Sequence, residues 1–168
     1  MNILAAADLN WNIGYKGDLQ VRIPDDLKRF KAITLGKVVV MGRKTLESLP
    51  GQKPLPMRTN IVLTRQSQFH CEGPVICHSI EELFEYLRDF NPDDIYLIGG
   101  GELFGALLPY CRLAYITRIN KAFPADAGMP DLDADDSWEL VGSEGPCYFK
   151  DGIYYSYMLY KNVHPLDY

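Results

Sequence analysis

Four short clusters carry the residue types that could do chemistry. The first is Ile23-Pro24-Asp25-Asp26-Leu27-Lys28-Arg29-Phe30. Proline at an N1-like position opens a helix, and acids in its first turn are ordinarily explained by the helix dipole. Consecutive helical residues point about 100° apart, so the two carboxylates cannot share a face. Asp26 stands four residues before Phe30 and one before Leu27, beside the apolar face, while Asp25 projects to solvent. A carboxylate at the edge of an apolar pocket has a raised pKa or takes a donor partner. Asp26 is therefore a candidate for binding a protonated heterocycle or assisting proton transfer. On spacing alone the dipole role remains the simpler explanation.

The next two clusters are glycine junctions after apolar runs: Val40-Met41-Gly42-Arg43-Lys44-Thr45 and Ile98-Gly99-Gly100-Gly101-Glu102-Leu103. Glycine lets the backbone approach a ligand closely, and free N–H groups at a helix start favour anions. Each junction alone could serve only tight packing. Two in one small sheet suit a ligand with two phosphate groups, although Gly-Gly-Gly is not the G-x-G-x-x-G fingerprint. The fourth cluster, Leu63-Thr64-Arg65, sets a hydroxyl and a guanidinium at a strand end, where a further phosphate could sit. His70-Cys71 and Cys77-His78 form a mirror pair that could be imagined as a zinc hairpin; the spacing and the intervening Val75-Ile76 strand favour plain thiols around a turn, and no metal is expected.

The elements that must position these clusters follow from periodicity. Apolar runs at Ile3–Ala7, Val38–Met41, Asn60–Leu63, Ile95–Ile98 and Leu113–Ile119 read as buried strands. Helical patterns run from Pro24 to Gly36, from Arg43 to Pro50, from Ser79 to Asn91-Pro92 and from Gly101 to Pro109. The alternation implies βαβ units and a mostly parallel sheet. Ser137–Gly145 and Gly152–Lys161 read as an antiparallel hairpin around a Pro-Cys-Tyr-Phe-Lys-Asp-Gly connection.

The chain has 168 residues, 47% hydrophobic and 23% charged, which suits one soluble domain with a real core. No apolar run approaches a membrane span. The start lacks a signal-peptide pattern, and the four cysteines read as free thiols in a cytoplasmic protein. Net charge is 17 − 22 = −5, which disfavours nucleic acid and anionic membranes as partners. An anionic ligand would need a few local basic groups.

Together these pieces resemble the dihydrofolate reductase family over nearly the whole chain. The resemblance rests on Asn12-Ile13-Gly14, Ile23-Pro24-Asp25-Asp26-Leu27, Phe30-Lys31 and Val40-Met41-Gly42-Arg43-Lys44-Thr45 with Glu47-Ser48. It continues through Pro54-Leu55-Pro56, Arg58-Thr59-Asn60, Ile98-Gly99-Gly100-Gly101 and Tyr115-Ile116-Thr117. It implies one α/β domain over residues 1–168, with a central, mostly parallel eight-stranded sheet, an antiparallel C-terminal hairpin and about four flanking helices. It implies hydride transfer from NADPH to C6 of dihydrofolate with protonation at N5, by a monomer that antifolates would inhibit.

The resemblance also implies roles by position. Asp26 would hold the pterin, bonded by Thr117. Leu4, Ala5 and Ala6 would line the pterin pocket, Ala6 touching the cofactor as well. Leu27, Phe30, Leu49 and Leu55 would pack the rings, and Arg58 would clamp the glutamate carboxylate with help from Lys31. Ile13, Gly14 and Leu19 would belong to a loop closing over the nicotinamide, Leu19 being counted with the catalytic residues. Ile98 and Phe104 would border nicotinamide and pterin, and Gly99-Gly100 matches a cis peptide. Gly42, Arg43, Lys44 and Thr45, and Gly100, Gly101, Glu102 and Leu103, would hold cofactor phosphates. Leu63, Thr64 and Arg65, with Arg43, would meet the 2′-phosphate.

Gln20-Val21 stand where many members carry Pro-Trp, and Glu102 stands where some bacterial members carry a basic residue that touches phosphate. A loop aspartate of some members falls at Asp126. Two rival readings are a reductase of the same fold acting on another pterin or a pyrimidine, and a binding module without turnover. Arg58 and the Leu27, Phe30 and Leu55 set favour folate.

Overall fold

Val38-Val39-Val40-Met41 shows how the sheet is built. All four side chains are buried. Val38 and Val40 join a large apolar cluster with Ile3, Ile61 and Leu97. Val39 and Met41 join a smaller one with Leu46 and Val62. Successive strand residues face opposite ways, so a run apolar at every position is a strand covered on both faces. Each such side chain contributes roughly 1.5–3 kcal/mol.

The computed structural model describes residues 1–168. The elements in chain order are β1 Asn2–Ala7, β2 Asn12–Gly14, α1 Pro24–Thr34, β3 Val38–Gly42 and α2 Arg43–Ser48. Then come β4 Thr59–Leu63, β5 Val75–Cys77, α3 Ile80–Leu87, β6 Ile95–Gly99 and α4 Gly101–Leu107. The chain finishes with β7 Leu113–Ile119, β8 Ala127–Gly128, β9 Trp138–Lys150 and β10 Ile153–Asn162. One eight-stranded sheet has the order β5-β4-β3-β6-β1-β7-β10-β9. Its pairs are parallel as far as β7, and β10 runs antiparallel to both β7 and β9.

Three boundaries differ from the sequence expectation. The C-terminal connection is strand, not loop, except for Asp151-Gly152, whose φ values of 51° and 74° make the tight turn. Pro146 is accommodated because β9 is the sheet edge and the register slips opposite Ser156, where no ladder N–H is required. Helix α3 stops at Leu87, short of Asn91-Pro92. Ser79 caps it by accepting from the Glu82 N–H at 3.1 Å, but the Glu82 carboxylate takes the His78 N–H at 2.7 Å instead of closing the box. Helix α4 ends at Leu107, and Pro109 lies in a following 3-10 turn.

A second, unexpected sheet pairs β2 with β8. It joins the loop between β1 and α1 to the segment after β7. Asp8, fully buried, holds the same region: its carboxylate accepts from the N–H groups of Asn10, Asn12 and Phe123 at 2.8, 3.0 and 3.1 Å and from Gln20 Nε2 at 3.1 Å. Burial alone would raise the Asp8 carboxyl, but these bonds outweigh it and hold it below its ordinary value. Gln20 thus serves as a loop anchor, and Val21 packs on the cluster of Ile23, Ile119, Ile153 and Tyr155.

The ends of β3, β4 and β6 open onto one side of the molecule, where open parallel sheets take their ligands. Strand β8 abuts the start of α4 so closely that a Cβ on Gly101 would collide with the Gly128 carbonyl. Because backbone must move, Gly101→Ala is expected to cost roughly 1–3 kcal/mol, read as a lowered midpoint in thermal denaturation. A midpoint equal to the parent's would contradict this contact.

Candidate active site

Helix α1 begins at Pro24, and its first turn sets Asp25 in solvent and leaves Asp26 half-buried. Thr117, buried in β7, donates its hydroxyl to Asp26 Oδ1 at 2.6 Å. Burial pushes the Asp26 carboxyl above its ordinary value, and the Thr117 bond and the Arg29 charge pull it part of the way back. Arg29 stacks on Tyr157, 3.8 Å from the ring centroid, and Tyr157 is the cross-strand partner of Thr117. Burial, helped by the Asp26 charge, pushes the Tyr157 hydroxyl up to about 12. The carboxylate therefore has a donor, a nearby cation and a neutral phenol around it. The surrounding wall is apolar, built by Leu4, Ala5 and Ala6 of β1, Leu27 and Phe30 of α1, and Leu49 and Leu55.

Arg58 lies further along this wall, with Lys31 exposed nearby on α1. Its Nε donates to Thr34 Oγ1 at 3.2 Å, and its Nη1 donates to the Pro56 carbonyl at 2.9 Å. Thr34 in turn donates to the Phe30 carbonyl at 2.8 Å. Nε and one donor of the guanidinium fork are thus used, Nη2 makes no hydrogen bond within the protein, and Arg58 lines the cleft. The loop before it is held by buried Asn60, which accepts from Leu55 N–H at 2.9 Å and donates to the carbonyls of Leu55 and Arg58 at 2.8 and 3.1 Å.

The two glycine junctions sit side by side. A Cβ on Gly42 would lie 3.9 Å from the Gly100 nitrogen and from the Gly99 oxygen. Thr45 Oγ1 is within 3.4 and 3.5 Å of the Cβ positions of Gly99 and Gly100. Gly99 has φ +131°, which favours glycine, and the Gly99–Gly100 peptide bond is cis. Ile98, Leu103 and Phe104 back this part of the cleft, and Gly42, Lys44 and Gly101 border it.

At the end of β4, Leu63 and Arg65 line the cleft with buried Thr64, whose carbonyl contacts His78 Nδ1 at 3.0 Å. Arg43 is engaged by Glu47 at 2.7 and 2.8 Å, and Arg65 pairs with Glu102. Both arginines expected at the 2′-phosphate thus meet a carboxylate in the fold. Ile13, Gly14 and exposed Leu19 form the remaining wall with the tight turn between Tyr15 and Asp18. Asp126 ties that turn down by accepting from the Lys16 N–H at 2.9 Å.

Every residue expected at the site borders this one cleft, whose volume is about 1550 Å³. A single small-molecule pocket is usually about 300–1,000 Å³, so the space suits two ligands end to end. Arg29 of α1 and the His78, Ser79 and Glu81 stretch at the start of α3 line it too. Neither carried a signal in the sequence that set it apart from ordinary helix-start and surface residues. Cys77 is buried in the core, where burial raises its thiol, and His78 turns to Thr64.

The family model for dihydrofolate reductase matches residues 1–162. The chain belongs to the dihydrofolate reductase family. The dihydrofolate reductase of Bacillus subtilis is 35% identical over 162 residues, covering 96% of this chain and 94% of the relative. That of Haemophilus influenzae is 42% identical over 143 residues, covering 85% and 86%. A solved structure of dihydrofolate reductase from Enterococcus faecalis, complexed with NADP(H) and RAB-propyl, superposes with a TM-score of 0.84 at 34% identity. That match covers 96% of this chain and 95% of the other. The eight-stranded, mostly parallel sheet with its antiparallel end is thus the dihydrofolate reductase architecture.

The burial of the Asp26 carboxyl makes stability depend on pH. Its native carboxyl holds a proton more tightly than the unfolded chain's, so stability falls as pH rises from 3.8 through the raised native value. Asp26→Asn removes that cost and keeps an acceptor for Thr117. The variant is expected to melt higher than the parent near neutral pH and equally at acid pH below the ordinary carboxylate value. A lower midpoint at neutral pH would contradict the assignment.

Proposed function

We propose that this chain is an NADPH-dependent dihydrofolate reductase that converts dihydrofolate to tetrahydrofolate for one-carbon metabolism. It would act as a single domain over residues 1–168 and as a cytoplasmic monomer. The observation that carries the reading is the Thr117-bonded Asp26 carboxylate at the apolar end of a cleft whose other end is two abutting glycine junctions beside Arg43, Lys44 and Arg65.

The glycine end fits a dinucleotide. With no side chains at Gly42, Gly99 and Gly100 around Thr45, backbone at the two junctions can come close to phosphate oxygens. Gly42 to Thr45 and Gly100 to Leu103 would hold the pyrophosphate, with Leu63, Thr64, Arg65 and Arg43 around the 2′-phosphate. Ile98 and Phe104 would flank the nicotinamide. NADPH, when bound, supplies the two electrons and the hydrogen taken up at C6.

The chain's own residues prepare the substrate. Asp26, bonded by Thr117 and facing Arg29, accepts hydrogen bonds from N3 and the 2-amino group of the pterin. Its charge, in an apolar pocket where electrostatics are little screened, raises the proton affinity at N5. Leu27, Phe30, Leu49 and Leu55 pack the rings, with Leu4, Ala5 and Ala6 beneath. Arg58 pairs with the glutamate carboxylate through the free part of its fork, and Lys31 adds charge. Ile13, Gly14 and Leu19 exclude water from the reacting atoms. The same pocket would take antifolates.

Mixing the chain with NADPH and dihydrofolate should produce steady loss of the NADPH near-ultraviolet absorbance, and no turnover at micromolar enzyme would overturn the reading. Asp26→Asn is expected to lower turnover by about 10²–10⁴-fold near neutral pH, with partial recovery at acid pH where more substrate is already protonated. An unchanged rate would remove Asp26 from the mechanism. Arg58→Gln should raise KM for dihydrofolate roughly 10²-fold with a smaller change in kcat. An unchanged KM would place the glutamate elsewhere.

A further inference from the structure

Arg65 follows β4 and Glu102 stands in the first turn of α4, yet their side chains form an ion pair across 37 residues of sequence. Both side chains are highly exposed, at 85% and 82%, and both border the cleft. An exposed ion pair adds little to stability. Its place is the informative part, because it joins the two banks of the cleft at its basic end. Arg43, the other arginine there, is the less exposed of the two and is tied to Glu47 within its own helix. Glu81 adds another carboxylate to the wall. Lys44 has no carboxylate partner, so both arginines of the basic end, but not its lysine, are already paired before any ligand arrives.

Resting on the reading that NADPH is the cofactor, we infer that Glu102 is a specificity-determining residue that competes with the 2′-phosphate for Arg65. The guanidinium fork pairs with a carboxylate or a phosphate through the same parallel N–H groups, so it cannot serve both fully. Binding NADPH exchanges one pairing for the other, whereas NADH leaves the Arg65–Glu102 pair closed. The advantage of the 2′-phosphate is then the difference between two pairings, not the whole of one. Glu102 also opposes any polyanion in the cleft, and that part is the same for both dinucleotides.

The two parts separate in a double-mutant cycle read by calorimetric titration of the protein with NADPH and with NADH. Glu102→Gln is expected to tighten NADPH about tenfold at low salt and NADH only about twofold. Arg65→Gln should weaken NADPH and leave NADH nearly unchanged. In the Arg65→Gln background, Glu102→Gln should tighten both dinucleotides by the same small factor. The gain in the single variant should shrink at high salt, as expected for exposed charges. Glu102→Lys, which adds a cation, should raise the NADPH to NADH ratio further. An unchanged ratio in Glu102→Gln, or weaker NADPH binding, overturns the inference, the second because Glu102 would then be orienting Arg65 for the phosphate. Failure of the parent chain to bind either dinucleotide would instead overturn the cofactor reading itself.

Discussion

Asp26 is a carboxylate kept in a place that burial makes unfavourable, and much of the surrounding structure serves to keep it there. Its helix must start at Pro24 so that the second acid, not the first, turns inward. Strand β7 must run beside β1 in parallel register so that Thr117 reaches it with a 2.6 Å bond. The antiparallel return of β10 then sets Tyr157 opposite Thr117 and under Arg29. The change of strand direction at β7 thus brings a hydroxyl, a phenol and a guanidinium around one carboxyl. A group so placed disfavours the folded state near neutral pH, and the buried strands on either side offset that cost through ordinary apolar burial.

The walls of the cleft depend on polar anchors of another kind. Asp8 gathers four donors from three stretches of the two loops above the sheet, and Asn60 pins the segment that presents Leu55 and Arg58. Loops alone place side chains loosely, and buried side-chain acceptors and donors that satisfy their backbone groups give them fixed positions. The Gln20 link to Asp8 attaches the β1–α1 loop by a side-chain hydrogen bond.

Charge follows a local rule and not a global one. The chain carries −5 overall, yet cations collect where the cleft meets strand ends. Those cations are largely compensated, Arg43 by Glu47 and Arg65 by Glu102. An anion reaching these arginines would have to exchange with the carboxylates already paired to them, so the partner carboxylates matter as well as the arginines.

Much of this was legible in the residue string. Buried parallel strands are apolar at every position, and Val38–Met41 and Ile95–Ile98 announced themselves. Pro24, Gly36, Ser79 and the paired glycine junctions marked element ends through their own backbone preferences, which are local. Helical spacing set Asp26 beside the apolar face without deciding between a dipole role and a binding role, and the family resemblance pointed to residues that the fold gathers along one cleft. What remained hidden was whatever depends on residues far apart in sequence. The β2–β8 sheet is too short to carry a periodic signal, and Pro146 reads as a loop until an edge position and a slipped register make it a strand residue. The meeting of Arg65 with Glu102, of Arg29 with Tyr157 and of His78 with Thr64 has no local signature. Backbone preference and hydrophobic period are properties of neighbours along the chain, whereas the partner of a charge is chosen by how the finished sheet brings distant strand ends together.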